Sequence, residues 1–104
     1  MVERESVREL REKLPVVRDR LAPTHVIIFG SVARGQATAD SDLDVIFVSD
    51  AFTGVRRPDR PKLIFDLLWR DFSVDALCYT PDEFEARRTM PGIVKTACEE
   101  GIWL

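Results

Sequence analysis

Residues 29–48 read FGSVARGQATADSDLDVIFV, and the fold turns on how this stretch is parsed. It opens at the end of the apolar run Val26-Ile27-Ile28-Phe29, passes Gly30-Ser31, crosses a polar segment and re-enters an apolar run bearing Asp42 and Asp44. The first run is β-branched and apolar on both faces, as in a central strand covered on both sides. Val32-Ala33-Arg34 suits a short helix that Gly35 ends with a positive φ. Gln36 to Ser41 is polar and contains the turn-former Asp40-Ser41. Leu43 to Val48 is then a second strand.

Upstream, Val7, Leu10, Leu14, Val17 and Leu21 recur at spacings of three and four, the stripe of an amphipathic helix. Pro15 lacks an N–H and crowds the carbonyl four residues back, so a break or kink is expected near Leu14. The stripe could serve as a coiled-coil seam, but so short a repeat favours packing on the domain's own sheet. His25, at the strand entrance, reads as structural or solvated.

Downstream, Ser49 to Pro61 is a loop carrying Arg56, Arg57 and Arg60, which could reach phosphates or an acidic partner but are more simply a solvated set. A helix is expected over 62–70, started by Pro61, and a third strand over 72–79, carrying Asp75. Thr80-Pro81-Asp82-Glu83 is a strong helix start, with Thr as N-cap, Pro at N1 and Glu at N3. A last helix spans Ile93 to Glu100, Gly101 ends it, and Ile102-Trp103-Leu104 reads as an apolar tail. The expected fold is one α/β (α+β) domain over residues 1–104, two-layered, with a small mixed sheet and helices mainly on one face.

Composition narrows the function. The chain has 104 residues, 45% of them hydrophobic, enough for one core. No run is long enough to span a membrane. The charged start Glu3-Arg4-Glu5 has no apolar h-region, so a cytoplasmic location is expected. A net charge of −3 argues against a grip on nucleic acid by backbone charge. Cys78 and Cys98 form no C-x-x-C pair, and with the single His25 they fall short of a zinc set, so both read as buried thiols.

The aspartates carry the chemistry. Residues i and i+2 of a strand share a face, so Asp42 and Asp44 project together while Leu43 and Val45 enter the core. An ionised Asp75 within Val74–Cys78 is costly unless paired, metal-bound or protonated, though on an edge strand it could face water. If the second and third strands are neighbours, all three carboxylates meet. At ~4 Å and an effective dielectric of ~20, each like-charge pair costs roughly 4 kcal/mol. With no basic residue on these strands, a divalent cation is the natural counter-charge, and carboxylate oxygens suit magnesium. Gly30 permits close backbone approach, and Ser31 adds a hydroxyl and an N–H at a helix start, where an anion is attracted. Alone, a Gly-Ser turn or a D-x-D is commonplace. It is the conjunction, with ten residues between Ser31 and Asp42 and a third Asp on another strand, that points to a phosphate-and-metal site.

That conjunction resembles the pattern of the nucleotidyltransferase superfamily that includes DNA polymerase beta. Across nearly all 104 residues, through FGSVARG, SDLDV, VDAL, YTPDEFE and EGIWL, the chain is similar to the minimal nucleotidyltransferases, antitoxin partners of HEPN-domain toxins in prokaryotic toxin–antitoxin pairs. The resemblance implies ATP as substrate, with Gly30 and Ser31 on its triphosphate. It implies two Mg2+ ions held by Asp42, Asp44 and Asp75. Asp75 would complete the second metal site and help deprotonate the attacking hydroxyl. Arg34 and Gly35 match the family's R-G, with Arg34 able to touch phosphate. Val32 stands where the family usually has a basic or aromatic residue, so the resemblance implies no contact from that position.

The activity so implied is Mg-dependent transfer of AMP to a hydroxyl, a tyrosine of the HEPN toxin. A different class of function is a non-catalytic antitoxin or nucleotide-binding module that neutralises its partner by direct binding, through the first helix and the apolar tail. Transfer to a small molecule ranks lower, because so short a chain leaves little room for a substrate pocket. The oligomeric state stays open, with a homodimer among the options.

Overall fold

A computed structural model describes residues 4–38, 42–68 and 74–104. Its elements are α1 (Glu5–Leu21), β1 (His25–Phe29), α2 (Gly30–Ala33), β2 (Leu43–Val48), α3 (Arg60–Phe65), β3 (Val74–Tyr79), α4 (Pro81–Arg88), α5 (Ile93–Glu100) and β4 (Ile102–Trp103). Short 3-10 turns at Asp50–Phe52 and Arg57–Asp59 lie between β2 and α3. The helix expected over 62–70 instead runs Arg60–Phe65, with Asp66 as its C-cap. The expected turn at Asp40-Ser41, residues 69–70 and the first two residues of the 72–79 strand lie outside the described residues.

The four strands form one mixed sheet in the order β3-β2-β1-β4. β1 runs antiparallel to both β2 and β4, and β2 runs parallel to β3. Alternation along the strands feeds two cores. Val26 and Ile28 of β1, Leu43, Val45 and Phe47 of β2, and Ala76 and Cys78 of β3 face α1 and α3, where they bury Val7, Leu10, Leu14, Val17 and Ile64. Ile27, Ile46 and Val48 face the other way, onto Phe84 of α4 and Val94 and Ala97 of α5. The larger core lies on the α1 face. On the opposite face α4 and α5 form a smaller core, so helices cover both faces of the sheet rather than mainly one as expected, because Ile27, Ile46 and Val48 give the second face an apolar surface of its own to bury.

Three local outcomes bear on the sequence reading. First, α1 does not break at Pro15: the helix is continuous from Glu5 to Leu21. An internal proline costs about 3 kcal/mol. Leu14 and Val17, both buried, each return ~1.5–3 kcal/mol by burial. Packing on the sheet thus outweighs the local penalty, and Pro15 itself is exposed. Second, the α4 start is the capping box expected: Glu83 N–H donates to Thr80 Oγ1 at 3.3 Å, and Thr80 N–H donates to Glu83 Oε1 at 2.8 Å. Third, the C-terminal residues are no loose tail. Ile102 and Trp103 pair with Ile28 and Ile27, and the Leu104 N–H reaches Val26 O at 2.9 Å. Gly101 makes this possible, since a Cβ there would overlap Ala97 O and stand 2.6 Å from Ile27 Cγ2.

Among the described residues no helix is long and apolar enough to cross a membrane.

Candidate active site

Asp44 sits one residue into β2, and its neighbours follow from the register. Across the antiparallel pair it faces Phe29, the last residue of β1, and across the parallel pair it faces Asp75. Register partners share a face, so Asp44 and Asp75 both project from the α5 side of the sheet, away from buried Leu43 and Val45. Asp42 lies two residues earlier, just before the strand, and is exposed.

The electrostatics show the three gathered. The Asp44 carboxyl is held above its ordinary value, first by partial burial, then by the charges of Asp75 and Asp42, with Arg34 pulling the other way. Desolvation and like charge both disfavour an ionised carboxylate. Of the two readings of Asp75, the one that has it facing water from an edge strand is the one observed: β3 lies at an edge of the sheet and Asp75 is exposed.

Gly30 follows Phe29 with φ +74, a backbone few side-chain-bearing residues adopt. A Cβ there would overlap Asp44 Oδ2. Glycine thus lets the carboxylate lie directly against the backbone of the corner. Ser31 and Ala33 complete the single turn of α2. Gly35 closes it with φ +71, its N–H donating to Val32 O at 3.2 Å, while Gln36 N–H donates to Ser31 O at 2.9 Å. Arg34 is exposed, with Nε donating to Gln36 Oε1 at 3.3 Å. Gly30, Ser31, Arg34 and Gly35 are thus one tight loop beside Asp44.

No group of three His, Cys, Asp or Glu side chains among the described residues already meets at a metal-holding point. Asp42, Asp44 and Asp75 share a region and a field without converging on one spot. Their chemistry nonetheless fits a hard divalent cation: the donors are all carboxylate oxygens, they come from adjacent strands, and their mutual repulsion is only partly offset by Arg34.

The other candidates fall away from the site. Arg60 is buried and holds the far end of the sheet, with Nε donating to Val55 O at 2.8 Å and one terminal nitrogen donating to Cys78 O at 3.2 Å and Glu83 Oε1 at 2.6 Å. Arg57 reaches the same Glu83 at 3.5 Å, and Arg56 pairs with Asp59 at 3.0 Å. His25 lies between Phe84 and Trp103, with both ring centroids 5.2 Å away. Cys78 is buried, and burial pushes its thiol up to about 12; Cys98, expected to be buried too, is only half-buried, though burial still raises its thiol.

A feature the sequence did not disclose is a cavity of about 360 Å3 between Gly30 and Arg34 on one side and Ile93, Thr96 and Glu100 of α5 on the other. The only sequence trace is that Thr96 and Glu100 are four apart on an amphipathic helix, a spacing shared by many solvated pairs.

A nucleotidyltransferase-domain family model matches residues 5–104. The chain belongs to the nucleotidyltransferase domain family. A solved nucleotidyltransferase, described as putative, from Sulfolobus solfataricus has a similar fold, with a TM-score of 0.66 at 20% identity over 93% of this chain and 77% of that one. Arabidopsis thaliana BolA1 is similar with a TM-score of 0.55 at 25% identity over 79% of this chain and 98% of its own. The BolA domain of Arabidopsis thaliana SufE1 gives 0.56 at 24%, over 80% and 99%. No curated protein sequence matches the chain. The same strand-and-helix path thus recurs in proteins of different names, and what places this chain is the family match along its length.

Proposed function

We propose that this nucleotidyltransferase-family protein is a minimal nucleotidyltransferase that moves AMP from ATP to a tyrosine hydroxyl of a HEPN-domain toxin and thereby acts as its antitoxin. The observation that carries the transfer reading is the pairing of Asp44 with Asp75 across β2 and β3, with Asp44 resting on Gly30. The choice of AMP, tyrosine and the HEPN partner rests on the likeness of FGSVARG, SDLDV, VDAL, YTPDEFE and EGIWL to that subfamily.

In the proposed reaction the loop from Gly30 to Gly35 orients the triphosphate, and Arg34 offsets part of its charge. Asp75, exposed at the sheet edge, accepts the proton of the incoming hydroxyl. The hydroxyl oxygen bonds to the α-phosphorus, the bond from that phosphorus to the oxygen bridging the β-phosphate breaks, and pyrophosphate leaves. Two Mg2+ ions bound by Asp42, Asp44 and Asp75 would supply neutralisation of the phosphate charge.

The non-catalytic alternative keeps only part of the surface it called on, with Trp103 of the tail and Val16 of α1 exposed. The apolar stripe of α1 is spent on the protein's own core, and Ile102 and Leu104 pack against that core as well. The test uses ATP labelled at the α-phosphate, Mg2+ and a HEPN-domain protein from the same genome. Label is expected on a partner tyrosine with the wild-type protein and not with Asp44→Asn. Absence of label under conditions where the two proteins bind each other would count against transfer. Neutralisation by a folded Asp42→Asn, Asp44→Asn double variant would favour simple binding.

A further inference from the structure

The cavity between the Gly30 corner and α5 has about 360 Å3, inside the ~300–1,000 Å3 range of small-molecule sites. Its walls differ in kind. Phe29 and Ile93 are apolar, Gly30 and Arg34 form the side nearest the carboxylates, and Thr96 and Glu100, one turn apart on α5, bring a hydroxyl and a carboxylate. Ile93 is a large apolar side chain left 60% exposed at the start of a helix that otherwise buries its apolar positions Val94 and Ala97. Phe29 is also the strand partner of Asp44, so the cavity begins one strand away from the carboxylates.

We propose that this cavity receives the base of the nucleotide, and that the base it takes carries an exocyclic amino group. The inference rests on the reading of the Gly30–Gly35 loop and the aspartates as the nucleotide-transfer site. A nucleotide whose phosphates lie against Gly30 has its other end in the adjoining space, and Gly30 and Arg34 belong to both. Flat apolar faces of a base match Phe29 and Ile93. Its polar edge then meets Thr96 and Glu100. An ionised carboxylate only accepts hydrogen bonds, so Glu100 selects an edge that donates. Adenine and cytosine present an amino group there, whereas the corresponding position of uracil is a carbonyl oxygen, which Glu100 repels.

The test measures binding of ATP, CTP, UTP and inorganic triphosphate, each with Mg2+, and label transfer from ATP to the partner, for the wild-type protein and for Thr96→Trp and Glu100→Ala. Both positions are exposed on α5, and thermal melting confirms that the variants fold. Thr96→Trp, which fills the cavity, is expected to weaken ATP by at least about tenfold while leaving triphosphate within about twofold. The wild-type protein is expected to prefer ATP and CTP to UTP by about tenfold, the scale of one charge-assisted hydrogen bond, and Glu100→Ala to erase that preference. Equal loss of ATP and triphosphate in Thr96→Trp would overturn the base assignment. So would unchanged ATP binding with loss of transfer, which would make the cavity the acceptor's seat. If the wild-type protein binds neither ATP nor triphosphate, the phosphate reading falls first and the base pocket with it.

Discussion

Two carboxylates at opposite ends of the same sheet have opposite fates. Asp44, at the start of β2, is half-buried among Asp75 and Asp42, and its carboxyl is held above the ordinary range. Glu83, in the first turn of α4 beyond the end of β3, is held down to about 2, first by the hydrogen bond from Arg60 and then by those of the Thr80 cap, against the opposing effect of burial. At Glu83 every charge has a partner: Arg60 at 2.6 Å, Arg57 at 3.5 Å and the Thr80 backbone at 2.8 Å. Among the described residues, the only cation acting on the Asp44 carboxylate is exposed Arg34. One end of the sheet uses its charges to hold the fold together. The other keeps like charges close at a cost in stability, as sites that bind a cation or a reacting phosphate commonly do.

The sharpest way to break this contrast is Asp44→Asn. It removes one charge from the repelling group while keeping shape, so the melting temperature should hold or rise. Nucleotidyl transfer should fall by about a hundredfold to a thousandfold, the scale seen when one group that stabilises transition-state charge is removed. A variant that melts lower and keeps its transferase rate would show that Asp44 belongs to the scaffold. Next in size is Arg60→Ala. It leaves Glu83 without its closest partner and frees the carbonyls of Val55 and Cys78, so chemical denaturation should show a loss of about 3 kcal/mol. Transfer per folded molecule should stay near wild type, since Arg60 lies at the far end from Asp44.

Gly30→Ala probes the corner itself. The positive φ costs a residue with a Cβ about 1–2 kcal/mol, and the new methyl must push the Asp44 carboxylate aside. Stability should drop by that modest amount, measured by denaturation, while the transfer rate drops by a larger factor than the stability change explains. Equal effects on both would mean that Asp44 does not need its place against the glycine.

The aspartate end was legible in the chain because its signals are local. Two apolar runs, the alternation around Asp42 and Asp44, and the glycine ending the first run each act within a few residues, and the capping box at Thr80 is local too. What was hidden depends on partners far along the chain. Arg60 looks like one of several loop arginines until the fold brings Glu83, twenty-three residues on, against it. β4 is two residues long, too short for alternation to show, and its docking depends on Gly101 lying against Ile27. Pro15 carries a strong local veto, and the packing of Leu14 and Val17 that overrides it is tertiary. The cavity under α5 joins residues from β1, α2 and α5, which no spacing links.

The smallest predicted effect concerns pH, and there the two ends differ in sign. The folded Glu83 carboxyl lies at about 2, below its ordinary 4.5, so the stability it contributes is present above 4.5 and is lost as pH falls from there toward 2. Asp44 is raised above its ordinary 3.8. When ionised it therefore lowers stability at neutral pH, and that cost disappears as acid protonates it in the fold. Unfolding measured across pH 7 to 3 should show Glu83→Gln losing most of its deficit relative to wild type as acid is added, because wild type is then losing the same contribution. Asp44→Asn should behave in mirror image: more stable than wild type at pH 7, with the advantage shrinking toward pH 3.8. If both gaps change in the same direction, the environments of the two carboxylates are not opposed, and the division of the sheet into a holding end and a working end fails.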